Sequence, residues 1–180
     1  MHEELIIAGF GGQGVMLIGQ LLTYSGMSEG KNVLWMPAYG PETRGGFANC
    51  TVIISEQEIY APIISKPLSL IIMNLPSLDK FEDSLKSGGL IVVNKSLVNR
   101  EVKRSDVETV MIPATEIATE MGNVRAANMV ALGAYIEKRG SVSFESVMEA
   151  LPKMFPGKEK IIPLNREALK KGAEFVKVSA

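Results

Sequence analysis

The chain has 180 residues, 46% hydrophobic and 22% charged, enough to bury one core but short for two domains of ordinary size. Its 19 basic and 20 acidic residues give a formal net charge of -1, which excludes a bulk electrostatic footprint for nucleic acid or an anionic membrane. With one cysteine, Cys50, and one histidine, His2 near the chain's end, the sequence cannot supply an internal disulfide, a cysteine-held iron–sulfur cluster or zinc site, or a Ser-His or Cys-His nucleophilic pair.

The first residues, Met1-His2-Glu3-Glu4, lack the basic start and cleavage site of a secretory leader, so a cytoplasmic protein is expected. Apolar runs such as residues 68–73 fall far short of the roughly 20 residues of a membrane span. Leu5-Ile6-Ile7-Ala8 reads as a strand buried on both faces and ended by glycines. Val15, Leu17, Ile18, Leu21, Leu22 and Tyr24 then recur at helical intervals, with Gly26 and Gly30 as stop signals. Val33-Leu34-Trp35-Met36 reads as a second strand stopped by Pro37, giving a βαβ opening.

Alternation over residues 49–54 predicts a third strand, with residues 58–63 as a short hairpin partner. Further strands are expected at residues 68–73, 90–93 and 109–112, with a helix from Pro76 to Leu85 between the first two. Helical spacing dominates the last third, over residues 115–121, 125–138, 144–154 and 164–178. Without a repeat or a linker, residues 1–180 are expected to form one domain. Its class is α/β: a Rossmann-like three-layer fold with a mainly parallel sheet, helices on both faces, and antiparallel edge strands from residues 47–63.

Gly9-Phe10-Gly11-Gly12-Gln13-Gly14 has the spacing G-x-G-x-x-G, directly after a strand and at a helix start. Three readings stand side by side. One is a dinucleotide cradle, since glycines admit close backbone approach and the helix N-terminus offers free N–H groups to an anion. Another is a tight turn that lets helix pack on sheet, and the third a local anion or subunit contact. Against the first stands the end of the second strand, which reads Trp35-Met36-Pro37 where an acidic ribose partner is required; Glu29 precedes that strand. A P-loop lysine with its Ser or Thr is absent as well.

A second dense loop, Tyr39-Gly40-Pro41-Glu42-Thr43-Arg44-Gly45-Gly46, follows the second strand and is expected at the same carboxyl edge of the sheet. Arg44 between a proline turn and two glycines offers a bidentate anion donor, with Glu42 as a local partner. The plainer alternative is a solvated loop bearing an exposed ion pair.

The two loops at this spacing, followed by Ala48-Asn49-Cys50-Thr51-Val52 and by the helix segment Arg125-Ala126-Ala127-Asn128-Met129-Val130, resemble the gamma subunit of 2-oxoacid:ferredoxin oxidoreductases over most of the chain. The resemblance implies a subunit of a complex that oxidatively decarboxylates a 2-oxoacid with coenzyme A, forming acyl-CoA and reducing ferredoxin. It implies that thiamine diphosphate, magnesium and iron–sulfur clusters belong to alpha, beta and delta partner subunits, and that this chain binds none of them alone. Gly9, Gly11, Gly12, Gln13 and Gly14, with Tyr39, Gly40, Pro41, Glu42, Arg44, Gly45 and Gly46, are then expected to border the substrate or coenzyme A entrance or to contact neighbouring subunits. No catalytic residue or metal ligand is assigned. The isolated chain could form a homodimer through the face meant for its partners. A free nucleotide-binding or regulatory module is the competing reading.

Asn128, in an otherwise apolar helix, demands a buried hydrogen-bond partner, and Arg125 reads as a solvated or interface cation. Cys50 reads as core, Trp35 and Met36 as candidates for a docking face, and the late lysines as a solvated surface.

Overall fold

The structure is a computed structural model and describes residues 1–40 and 46–179. Pro41, Glu42, Thr43, Arg44 and Gly45, and with them most of the second loop, lie outside the described residues.

Among the described residues six strands form one sheet. In chain order they are β1 (His2–Phe10), β2 (Asn32–Tyr39), β3 (Phe47–Ser55), β4 (Ser69–Ile72), β5 (Leu90–Asn94) and β6 (Glu108–Ile112), and across the sheet they run β2-β3-β1-β4-β5-β6. β1, β4, β5 and β6 are parallel neighbours; β3 runs antiparallel to both β1 and β2. The mainly parallel α/β sheet is thus as expected from the continuous apolar runs, since β4 and β5 are buried along their whole length.

Three expectations change. The second strand does not stop at Pro37 but continues to Tyr39, because β2 is the sheet edge, where a residue without an N–H breaks no outward ladder. The antiparallel pair sits at the sheet edge as expected, but β2 is outermost and β3 lies between β2 and β1, so the βαβ opening brackets another strand. Residues 58–63 form no strand: Tyr60 and Ile63 are 88% and 83% exposed, and Pro62 between them cannot donate to a ladder. His2, placed at the chain's end, is the first residue of β1.

The two faces of the sheet are covered unequally. Leu5, Ile7, Cys50, Val52, Ile54, Ile71, Val92 and Ile112 point into a large core shared with α1 (Val15–Ser28), α3 (Ala114–Glu120), α4 (Ala127–Arg139), α5 (Phe144–Met154) and α6 (Ile162–Ser179). Ile6, Ala8, Leu70, Ile72, Ile91 and Val93 point the other way, onto α2 (Leu75–Phe81) and the connection that carries Val98, Val102 and Val107 from β5 to β6. That connection carries one 3-10 turn, Lys95–Leu97, and no α-helix. It is tied down instead by charge: the buried Glu82 carboxylate accepts from Arg100 Nη2 at 2.7 Å and from the Lys103 N–H, and Arg104 donates to the Leu85 carbonyl at 3.0 Å.

Helices α4 and α6 cross in backbone contact. A Cβ on Gly133 would lie 2.0 Å from the Leu169 carbonyl oxygen, and one on Gly172 only 1.9 Å from that of Val130. The crossing therefore exists only because both positions lack side chains. At the amino edge, buried Glu3 on β1 accepts from Arg139 Nε at 2.6 Å and from the Tyr135 hydroxyl at 3.2 Å, fastening α4 to the sheet.

Candidate functional site

β1 ends at Phe10 and the chain turns through Gly11 and Gly12 into Gly14, the left-handed N-cap of α1 (φ 76). Gly12 has φ 100, so side chains are disfavoured there by the backbone alone. The spaces beside Gly9 and Gly14 are filled from inside the protein. A Cβ on Gly9 would meet Gln13 Oε1 at 2.7 Å, and one on Gly14 would meet Asn128 Nδ2 at 2.2 Å. Asn128 donates from Nδ2 to the Gly14 carbonyl at 3.3 Å, which identifies the partner that its burial demands.

The chain leaves β1 toward β2 on one side and later adds β4, β5 and β6 on the other, so the switch point lies between β1 and β4, where doubly wound folds open a ligand crevice. Here the Gln13 carboxamide occupies it. Oε1 accepts from the Phe10 N–H at 2.7 Å and from Asn74 Nδ2 at 2.9 Å, while Nε2 donates to the Met73 carbonyl at 3.2 Å. Asn74 in turn N-caps α2 by accepting from the Ser77 N–H at 3.0 Å. Beside it Asn94 donates from Nδ2 to Thr115 Oγ1 at 2.9 Å and accepts the Thr115 N–H at 3.3 Å.

Gln13 was read only as a member of the glycine loop, and Asn74 and Asn94 were missed from sequence, yet a signal was there: both stand at or just beyond the carboxyl end of a parallel strand. A cavity of about 180 Å³ remains above them, bounded also by Gly12 and by exposed Arg125.

The second loop's described ends meet the glycine loop. The Gly11 N–H donates to the Gly46 carbonyl at 2.8 Å, and the Gly40 N–H to the Phe47 carbonyl at 2.9 Å. Gly9, Gly11, Gly12, Gln13 and Gly14 thus share one edge with Tyr39, Gly40 and Gly46, as the topology argument requires. Pro41, Glu42, Arg44 and Gly45 lie outside the described residues. A groove of about 400 Å³ runs between the loops, with Gly11, Gly14, Met16, Gly46 and Phe47 in its walls. Its rim carries Tyr39, 69% exposed, and Phe10, 36% exposed. Phe47 stacks on Phe81 with ring centroids 5.8 Å apart, and Lys80 Nζ lies 4.0 Å from the Phe47 centroid.

The dinucleotide reading loses its geometry as well as its acidic residue. With β3 between them, the end of β2 stands two strand spacings, roughly 10 Å, from β1, so even a carboxylate there would not serve a ribose at the glycine loop. Glu29 is turned to the opposite edge. Burial opposes its ionisation, but the Lys31 ammonium at 2.7 Å and the Ser143 N–H at 2.6 Å outweigh that and hold its carboxyl down at about 2. Cys50 is core: it is fully buried, burial pushes its thiol up to about 12, and its Sγ donates to the Val15 carbonyl at 3.5 Å. Trp35 packs toward the core while Met36, 36% exposed, faces out.

Among the described residues no three His, Cys, Asp or Glu side chains come together as metal ligands, and no helix is long and apolar enough to cross a membrane.

Fold and loops together define a Rossmann-like unit whose switch-point crevice is closed from within and whose outward feature is a two-loop edge. The chain belongs to the pyruvate ferredoxin/flavodoxin oxidoreductase family, whose pattern matches residues 4–175. It is 41% identical over 172 residues to the ketoisovalerate oxidoreductase subunit VorA of Methanothermobacter thermautotrophicus, covering 95% of this chain and 36% of that one. It thus spans about a third of that relative's length. To the 2-oxoglutarate synthase subunit KorC of Methanocaldococcus jannaschii it is 35% identical, covering 98% of this chain and 95% of the relative.

Among solved structures, the gamma subunit of a keto/oxoacid ferredoxin oxidoreductase from Geobacter sulfurreducens superposes with a TM-score of 0.84 at 29% identity, over 99% of both chains. The 2-oxoglutarate:ferredoxin oxidoreductase from Magnetococcus marinus, with 2-oxoglutarate, coenzyme A and succinyl-CoA bound, gives a TM-score of 0.90 at 27% identity. That match covers 98% of this chain and 31% of the other. The resemblance read from the paired loops is borne out, and the free-module reading is not favoured.

Proposed function

We propose that residues 1–180 act as one gamma-type subunit of a cytoplasmic 2-oxoacid:ferredoxin oxidoreductase. The complex oxidatively decarboxylates a 2-oxoacid with coenzyme A to acyl-CoA and reduces ferredoxin. This chain is inactive alone and contributes assembly and part of the active-site entrance. Alpha, beta and delta subunits carry the thiamine diphosphate, magnesium and iron–sulfur clusters, and ferredoxin meets the complex through them.

The observation that carries this reading is the Gly11 N–H···O=C Gly46 bond, which joins the two loops into one surface at the carboxyl edge. An apolar rim of Phe10 and Tyr39 beside glycine backbone suits a subunit contact, where aromatic side chains supply burial and the glycines admit close approach. Arg44, four residues after Gly40, supplies the charge that attracts a carboxylate or phosphate at the entrance.

The test is reconstitution by omission. Partner subunits purified with this chain should support 2-oxoacid- and coenzyme A-dependent dye reduction, and the same preparation without it should lose that activity. Equal reduction with and without the chain sinks the proposal.

A further inference from the structure

Gln13 is not used by the reading above except as a member of its loop, yet it makes the densest set of contacts at the edge. Its backbone N–H donates to the Phe10 carbonyl at 3.1 Å, closing the turn, and its side chain then reaches back across the strand ends. Three groups that would otherwise face the crevice are satisfied by that one carboxamide: the Phe10 N–H at the end of β1, the Met73 carbonyl just past β4, and the Asn74 amide that caps α2. Gly9 has no side chain at the place where Gln13 Oε1 lies. The first glycine of the motif therefore makes room for an internal amide and not for a ligand.

We infer that Gln13 is a positioning residue: its carboxamide closes the switch-point crevice and holds the glycine loop, the first turn of α2 and, through Gly11, the Gly46 end of β3 in one frame. The function of that frame rests on the proposed reading of the loops as an active-site entrance. Only a side chain with a donor and an acceptor on one planar group meets all three partners. Alanine removes all three bonds, leaving the Met73 carbonyl only the longer 3.5 Å bond from Asn94 Nδ2; glutamate keeps an acceptor for Phe10 and Asn74 but presents no hydrogen to the Met73 carbonyl, and two oxygens then face each other.

The frame makes two separate predictions, one about the chain and one about the complex. In the full chain, Gln13→Ala should speed amide exchange at Phe10, Gly11 and Gln13, whose N–H groups the frame holds, at least fivefold while strand β5 exchanges as before. In the assembled complex the same variant should raise KM for the 2-oxoacid or coenzyme A several-fold with kcat within twofold. Gln13→Glu should fall between wild type and alanine in both, and serves alone if the alanine variant does not fold. Unchanged loop exchange in the variants overturns the lock itself. Faster exchange with unchanged KM values overturns the positioning role by removing the entrance reading on which it rests. A purely structural role would lower stability and yield without moving KM against kcat.

Discussion

The amide nitrogen of Gly11 lies 2.8 Å from the carbonyl oxygen of Gly46, a backbone bond that joins the turn after β1 to the residue before β3. Under the proposed entrance role of the two loops, Arg44, two residues before Gly46 in sequence, is the anion donor to test. Arg44→Ala should leave assembly intact and raise KM for the 2-oxoacid or coenzyme A by about 10-fold or more, the scale of one lost charge-assisted hydrogen bond. Arg44→Lys should restore part of the loss, keeping the charge without the planar fork. Steady-state kinetics on the purified complex read both.

Asn128 and Gly14 form a second linked pair, tying α4 to the start of α1. Gly14→Ala meets both a positive φ and an amide at 2.2 Å, and should cost about 2–4 kcal/mol. Asn128→Ala should cost about 1 kcal/mol. The double variant should be more stable than the sum of the two losses implies, because removing the amide relieves the clash. Denaturant unfolding followed by the fluorescence of Trp35, the chain's one tryptophan, measures the cycle.

The α4–α6 crossing predicts intolerance at Gly133 and Gly172. Alanine at either must push against backbone, which cannot rotate away, so each should destabilise by about 3 kcal/mol or more despite alanine's better helix propensity. Alanine at Gly140, with open space around it but φ 62, should cost less, about 1 kcal/mol. Thermal unfolding of the three variants gives the order directly.

Acid should weaken the amino edge through Glu29. Its carboxyl is held near 2 in the fold and titrates near 4.5 when unfolded, so the stability it contributes is present above 4.5 and lost as pH falls from 4.5 through about 2. Glu29→Gln should lower stability at pH 7 and flatten its decline over that window. Unfolding free energies measured between pH 7 and pH 2 for both proteins test the difference in slope.

The strands that position the site were legible wherever both faces are buried, because residues 5–8, 70–72 and 90–93 within β1, β4 and β5 read as short continuous apolar runs. The place of β3 was not. Alternation announces a strand but not its neighbours, and nothing within residues 49–54 says that they pair with both β1 and β2. Pro37 misled because a proline stops a strand only where its N–H is needed, and edge position is a property of the whole sheet. The two-loop edge could be read from topology, whereas the work of Gln13 could not: a glutamine among glycines carries no propensity signal, and two of its side chain's three partners, Met73 and Asn74, lie 60 and 61 residues away.

The central claim, that the edge formed by the two loops is the face turned toward the catalytic neighbours, is tested most directly by amide exchange on the chain alone and in the assembled complex. Strong protection on assembly should appear at residues 10–16 and 39–47, with the amino edge around Glu3, Glu29 and Ser143 changing little. Protection confined to the amino edge or to α5 and α6, with the two loops exchanging as fast in the complex as in isolation, would contradict it.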